Sequence, residues 1–242
     1  SRGLGDVYKR QDVYFIYRRS TMKLVIFDMD GLMFATEGID MQCFKKACNE
    51  FGYTIEEEFQ MGLIGMNEHD TILKLQAKFG EAFPVYDIRA LSWKMKMEYF
   101  YEKGLPIKKG LKELVSYLKE MKIKIAVASS SSIKIINEYL QLSDLENQFD
   151  YIVGGDKVVH SKPDPEIFLK VLEHFNFDSS EALVLEDSNN GILASHRANI
   201  PVICVPDLVE NKPELLALTY KTLPSLLEVK DEIAKILEGS KC

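Results

Sequence analysis

Two carboxylates one residue apart, Asp28 and Asp30, follow directly on the apolar run Leu24 to Phe27. The run reads as a buried strand, so both acids sit at its carboxyl end, where ligands bind in open α/β sheets, and Gly31 lets the backbone turn close to a ligand. At ~4 Å and an effective dielectric of ~20, two such charges repel by roughly 4 kcal/mol unless a cation lies between them. The spacing therefore asks for a metal. A calcium-binding EF-hand also opens Asp-x-Asp-Gly, but it needs oxygen ligands at alternate positions, and here Leu32 and Phe34 stand there. A pair of surface aspartates in a turn is the plainer alternative, and the apolar strand just before them speaks against it.

Three more polar clusters fall at or near predicted strand ends. Ile123 to Ala128 runs into Ser129, Ser130, Ser131 and Ser132, whose hydroxyls and backbone N–H groups at a helix start make an anion cradle; Ser131 or Ser132 is expected to cap that helix. Lys162 lies in a loop stiffened by Pro163 and Pro165, where a lone lysine would ordinarily be solvated surface. Ala182 to Leu185 runs straight into Glu186 and Asp187, acids that are costly to bury without a metal or a cation partner. Gathered at one edge, Asp28, Asp30, Glu186 and Asp187 set four negative charges against Lys162. A phosphate dianion needs a divalent cation to approach such a site.

The elements that must position these groups alternate. After Gly110, helices over 111–121, from Ser131 or Ser132 to Leu140, 165–175 and 190–198 are interleaved with strands over 123–128, 151–153, 182–185 and 202–205, the last strand ending before Pro206. This predicts a parallel sheet covered on both faces, a Rossmann-like α/β core made of residues 22–36 and 107–242. Residues 37–106 read as a small helical cap inserted after the first strand. Its helices are one through Ile39, Cys43, Ala47 and Phe51, one capped by Asn67 and ending at Gly80, and one from about Val85 to Tyr101. Trp93, Met95, Met97 and Phe100 are expected to form the cap's own core. Residues 1–21 read as a non-native leader before a natural start at Met22.

The whole chain, 242 residues with net charge −7, is long enough for a sizeable core, and its acidity argues against nucleic acid or an anionic membrane as partner. No run approaches the length that spans a bilayer. Cys43, Cys48, Cys204 and Cys242 lack metal or redox spacing and are expected to be reduced, which points to the cytoplasm. A monomer is favoured.

Asp28-Met29-Asp30-Gly31, Ser129, Lys162-Pro163 and Glu186-Asp187-Ser188-Asn189-Asn190-Gly191 stand in the order of the haloacid dehalogenase superfamily, and from Met22 onward the chain resembles its members with a helical cap. These include small-metabolite phosphatases and β-phosphoglucomutase. The resemblance implies a Mg2+-dependent phosphatase of small phosphorylated metabolites, sugar phosphates or nucleotide-like monophosphates. Asp28 would be the nucleophile and Asp30 the acid and base. Ser129, Ser130 and Lys162 would bind phosphate. Asp28, Asp30 through its main-chain carbonyl, and Asp187 would hold the metal, with Glu186 acting through water or by supporting another ligand. Specificity would come from the cap around Gly65, Glu68 and His69.

The chain departs from the family at Ala35, where an acid is usual at the entry to the cap; Thr36 is the residue that can supply the missing hydrogen bond. The rival readings are a phosphosugar mutase and a phosphate-binding regulator without turnover. Retention of both Asp28 and Asp30 argues against the regulator. Against the mutase, the positions of its cap His and Arg are held here by Asp40 and Glu68, which repel a second phosphate unless Lys94 or Lys96 restores positive charge.

Overall fold

The structure, a computed structural model, describes residues 22–64, 66 and 68–239. The proposed leader, Gly65 and the Asn67 cap lie outside the described residues.

Leu24–Phe27 forms β1, and all four residues are buried, as the middle of a parallel sheet requires. With β2 (Lys124–Ser129), β3 (Tyr151–Gly154), β4 (Ala182–Glu186), β5 (Val202–Cys204) and β6 (Lys221–Thr222) it makes a six-stranded parallel sheet in the order β3-β2-β1-β4-β5-β6. Alternate residues serve opposite faces. Val25, Phe27, Ile125, Val127, Leu183 and Leu185 enter one hydrophobic cluster, while Leu24, Ile26, Ala126, Ala128, Ala182 and Val184 enter the other.

Four helices sit in the chain between β1 and β2 before the alternation begins: α1 (Glu37–Glu50), α2 (Glu57–Met61), α3 (Glu68–Phe79) and α4 (Val85–Lys103). The core helices follow as α5 (Leu111–Glu120), α6 (Ile133–Leu142), α7 (Glu166–Phe175), α8 (Asn189–Arg197), α9 (Pro213–Leu216) and α10 (Leu226–Gly239). One sheet face is covered by Leu111, Leu114 and Leu118 of α5 with Leu226, Val229 and Ile233 of α10, and the other by Phe168 and Val171 of α7 with Ile192 of α8.

Three expectations need correction. Val202–Cys204 is not the last strand: β6 pairs beside it, flanked by backbone bonds from Tyr220 to Val202 (2.8 Å) and from Leu223 to Cys204 (2.8 Å). A two-residue edge strand of Lys and Thr has no apolar pattern to reveal it. The short helix α2 was likewise unforeseen. Nor do the aromatic and Met residues of α4 form a core of the insert alone. Trp93, Met97 and Phe100 join the main core, where the Trp93 and Phe100 rings meet Tyr139 of α6 at 6.2 and 5.5 Å between centroids; Met95 stays with the insert's cluster of Ala47, Cys48, Ile55, Leu75, Phe83, Val85 and Ile88. One helix therefore carries two apolar stripes, which helical spacing alone does not assign to partners.

The segments entering and leaving this helical region run side by side. Phe34 and Ile107 form an antiparallel bridge, and the Ala35 N–H donates to the Pro106 carbonyl at 2.9 Å. Cys43, Cys48 and Cys204 are buried free thiols, and no helix among the described residues is long and apolar enough to cross a membrane.

Candidate active site

Register delivers the site. Phe27 pairs with both Val127 and Leu185, so Asp28, Ala128 and Glu186 stand level at the carboxyl ends of three adjacent strands, with Ser129 and Asp187 one residue further out. Lys162 reaches into this row from the loop before α7. Its ammonium donates to Asp28 Oδ1 and Glu186 Oε1, each at 2.6 Å, and to the Ala128 carbonyl at 3.0 Å, all in buried surroundings. Lys162 is not the solvated surface lysine that an isolated loop position would ordinarily give, because three acceptors stand where it arrives. Burial alone would pull the ammonium down, but Asp28 and Glu186 outweigh it and hold Lys162 above its ordinary value.

Glu186 is fully occupied. Beyond Lys162, its Oε2 accepts from the Asp187 N–H (3.0 Å), the Ser188 N–H (2.9 Å) and the Ser188 hydroxyl (3.0 Å). The first turn of α8 lies against the carboxylate so closely that a Cβ on Gly191 would stand 1.7 Å from Oε1. Asp187, in contrast, has a buried Oδ1 with no hydrogen-bond partner, while its carbonyl accepts from Asn211 Nδ2 at 2.7 Å. Gly31, at φ 84°, passes so near that a Cβ there would meet Asp187 Oδ2 at 2.1 Å.

Asp28, Glu186 and Asp187 offer oxygens within 4.8 Å of one another, and Glu37, Asp187 and Asp207 form a second such group. One ammonium cannot balance three buried carboxylates. Burial, followed by the neighbouring Glu186 charge, pushes Asp28 up to about 8 despite Lys162, and burial with Glu186 and Asp28 pushes Asp187 well above the carboxylate range. Burial, then Asp207 and Asp30, lifts Glu37 to about 7. The all-oxygen donor set and the unsatisfied Asp187 oxygen suit a hard divalent cation.

Asp30 is held differently, half-buried, with each carboxylate oxygen accepting one hydroxyl: Thr36 Oγ1 at 2.8 Å to Oδ1 and Ser131 Oγ at 2.9 Å to Oδ2. Thr36, marked out by the sequence only at the cap entry, thus bonds to an acid of the site. The serine run divides its work. Ser129 is buried and its hydroxyl accepts from the Ser131 N–H at 3.1 Å; Ser130 is exposed; and Ser132 holds the N-cap position of α6 as expected, though its side chain makes no capping bond and Asp156 accepts from the Ile133 N–H at 2.9 Å instead. Asp156 and Asn211 were missed as contributors, and Ser131, named only in the serine cradle and as a cap, was not linked to Asp30, since each acts on a residue distant in sequence.

On the cap side, His69 lies in the first turn of α3 and is exposed. It lines an open cleft of about 740 Å³ with Tyr86, His160, Ser161 and Arg197. Gly65 and the side chain of Glu68 lie outside the described residues. Asp40 is ion-paired to Lys96 at 2.5 Å. The repulsion expected from Asp40 is therefore balanced, and Lys96 is the lysine that balances it.

A parallel α/β sheet with a helical insert after its first strand, and acids, a lysine and hydroxyls collected at its strand ends, defines a phosphoryl-handling hydrolase. The family model of haloacid dehalogenase-like hydrolases matches residues 25–205, and the chain belongs to that family. It is 32% identical over 190 residues to a phosphorylated carbohydrates phosphatase of Thermotoga maritima, covering 74% of this chain and 82% of that one. It is 32% identical over 129 residues to hexitol phosphatase B of Escherichia coli, covering 53% and 58%. CbbY from Rhodobacter sphaeroides, solved in complex with phosphate, superposes with a TM-score of 0.77 at 23% identity over 86% of this chain and 96% of that one, a likeness of fold. With this family and these relatives, the protein is an enzyme, a phosphoric monoester hydrolase.

Proposed function

We propose that the protein is a Mg2+-dependent phosphatase of small phosphorylated metabolites, phosphorylated carbohydrates among them, working through an aspartyl-phosphate on Asp28. The observation that carries this reading is the row Asp28–Lys162–Glu186, buried at the sheet edge, with Asp30 held two residues beyond the nucleophile by Thr36 and Ser131.

The Asp28 carboxylate attacks phosphorus in line; the new O–P bond forms as the ester P–O bond breaks, and the leaving oxygen takes its proton from Asp30. Water then attacks the phosphoryl group, Asp30 accepts its proton, and the bond to Asp28 breaks to release phosphate. The hydroxyls of Thr36 and Ser131 fix the orientation of Asp30 for both transfers. Lys162 and Ser129 hold phosphoryl oxygens, and Ser130, exposed beside them, meets the phosphate as it enters. The carboxylates of Asp28 and Asp187 with the Asp30 main-chain carbonyl would hold Mg2+, which when bound offsets negative charge as the dianion approaches and reacts. Glu186 supports the site by fixing Lys162 and the turn that presents Asp187.

The test is phosphate release from p-nitrophenyl phosphate and a panel of sugar and nucleotide monophosphates, with and without Mg2+. Turnover that requires Mg2+ and falls below about 1% of wild type in Asp28→Asn is expected, because an amide cannot form the acyl-phosphate. Substantial activity in that variant, with deamidation excluded by mass spectrometry, would overturn the assignment.

A further inference from the structure

A carboxylate with a bare oxygen beside two other carboxylates has to be held by something other than itself, because its neighbours repel it. Asp187 has one buried oxygen without a partner, yet both of its main-chain polar groups are engaged. Its N–H donates to Glu186 Oε2 at 3.0 Å, and its carbonyl accepts from Asn211 Nδ2 at 2.7 Å. Asn211 comes from the segment between β5 and α9, where it is 6% exposed while its neighbours Glu210 and Lys212 are exposed. A buried amide is costly unless it is bonded. The Asp187 carbonyl can only accept, so it takes the amide nitrogen, and Asn211 Oδ1 turns to the buried Cys204 thiol, which donates to it at 3.5 Å. Cys204 pairs with Glu186 across β5 and β4, so the amide spans the ends of those two strands. The next residue repeats the attachment: the Lys212 N–H donates to Asn189 Oδ1 at 3.0 Å, at the first residue of α8. Two consecutive residues thus clip the turn 187–189, and the chemistry above uses neither bond.

We infer that Asn211 is a positioning residue for the cation: by holding the Asp187 main-chain carbonyl it keeps the Asp187 carboxylate among the other acids with an oxygen bare, and so sets the affinity of the site for a divalent ion. Asp28, Glu186 and Asp187 each offer an oxygen within 4.8 Å of the others, and while no cation joins them their repulsion drives the turn that carries Asp187 away from the row. A clamp on the backbone resists that movement without occupying a lone pair that the cation needs, as a hydrogen bond to the carboxylate would. Groups that orient metal ligands from outside are worth roughly 10- to 100-fold in metal affinity. Asn211 acts through Asp187, so its loss belongs to the concentration of cation required and not to the chemical step once the cation is bound. This inference rests on the proposed Mg2+-dependent reading and adds to it the residue that tunes the metal.

The experiment is calorimetric titration with Mg2+ of wild type and of Asn211→Leu, which keeps the side chain's volume and loses its donor, each well below its Tm. Asn211→Ala serves the same purpose if the leucine variant does not fold. The Kd for Mg2+ should rise at least tenfold in the variant, about the lower end of what such partners contribute. Hydrolysis of p-nitrophenyl phosphate, followed against Mg2+ concentration, should show the half-saturating concentration raised by the same factor and kcat at saturating Mg2+ within about threefold of wild type. A residue that only closes its loop would lower Tm and leave Kd where it was. A Kd within threefold of wild type in a folded Asn211 variant would therefore overturn the inference, as would a kcat that stays low at saturating Mg2+. Wild type that binds no Mg2+ would overturn the proposed metal dependence along with it, whereas variants that bind as wild type does would leave that dependence standing.

Discussion

Three buried carboxylates facing one ammonium give neighbouring residues different work. Asp187 has an oxygen without a partner, whereas Lys162 has every acceptor it needs. Asp187→Ala should therefore weaken Mg2+ binding at least tenfold, while Lys162→Ala should leave metal affinity within a few-fold and raise the Kd for inorganic phosphate. Calorimetric titration of both variants with Mg2+, then with phosphate, checks this; equal loss of metal affinity would make the acidic pair merely structural. Asp28, Asp30, Glu186 and Asp187 were legible because each abuts an apolar strand, so local pattern alone put them at a sheet edge. Ser131 could not be read that way. Its bond to Asp30 joins residues 101 apart, and one serine among four carries no local sign of which partner it meets.

At the scale of elements, alternation of apolar runs and helical stripes foretold the sheet from β1 to β5, because strands buried on both faces have no polar residues to blur them. The end of the chain escaped for the opposite reason. Strand β6 is fixed by side-chain chemistry rather than by burial: Glu232 of α10 is paired with Lys221 at 2.6 Å and accepts from the Tyr220 hydroxyl at 3.0 Å. Burial raises the Glu232 carboxyl, but Lys221 and Tyr220 outweigh it and hold it below the ordinary range. A carboxyl depressed in the folded state adds stability above its unfolded value of ~4.3, and that stability is lost as pH falls through the folded value. Glu232→Gln should lower Tm by roughly 2–4 °C at pH 7, the shift that ~1 kcal/mol produces in a chain of this size, and by less at pH 3. Thermal melts at the two values check it; an equal drop at both would mean that charge plays no part.

For the whole molecule, the acidic site is a source of instability that a cation relieves. Burial and the neighbouring Glu186 charge push Asp28 up to about 8 from the unfolded ~3.9, so the folded state holds a proton that the unfolded chain has released, and stability declines as pH rises through that window. On the proposed function, Mg2+ takes the proton's place. At one fixed Mg2+ concentration it should raise Tm more at pH 8 than at pH 6, gaining ~2.7 kcal/mol where that concentration is a hundred times Kd, and release protons on binding. Scanning calorimetry at both values, and titration in buffers of different ionisation heat, check this; a shift that does not grow with pH would remove the link between burial and metal. How the helical insert lies on the core was not legible. Helical spacing gives α4 its stripes but does not say that Trp93 and Phe100 belong to Tyr139.

The adjoining segments at Ala35 and Pro106 have a consequence for how such a chain can be rebuilt. A stretch that leaves and returns through one short antiparallel bridge is joined to the rest like a parenthesis, and its length is invisible to the sheet on either side. Grafting a different helical insert between those two points asks nothing of the strand register, and the stacking partners of Tyr139 are the part a transplanted segment must reproduce. New specificity can then be acquired by exchange, with the phosphoryl chemistry left in place.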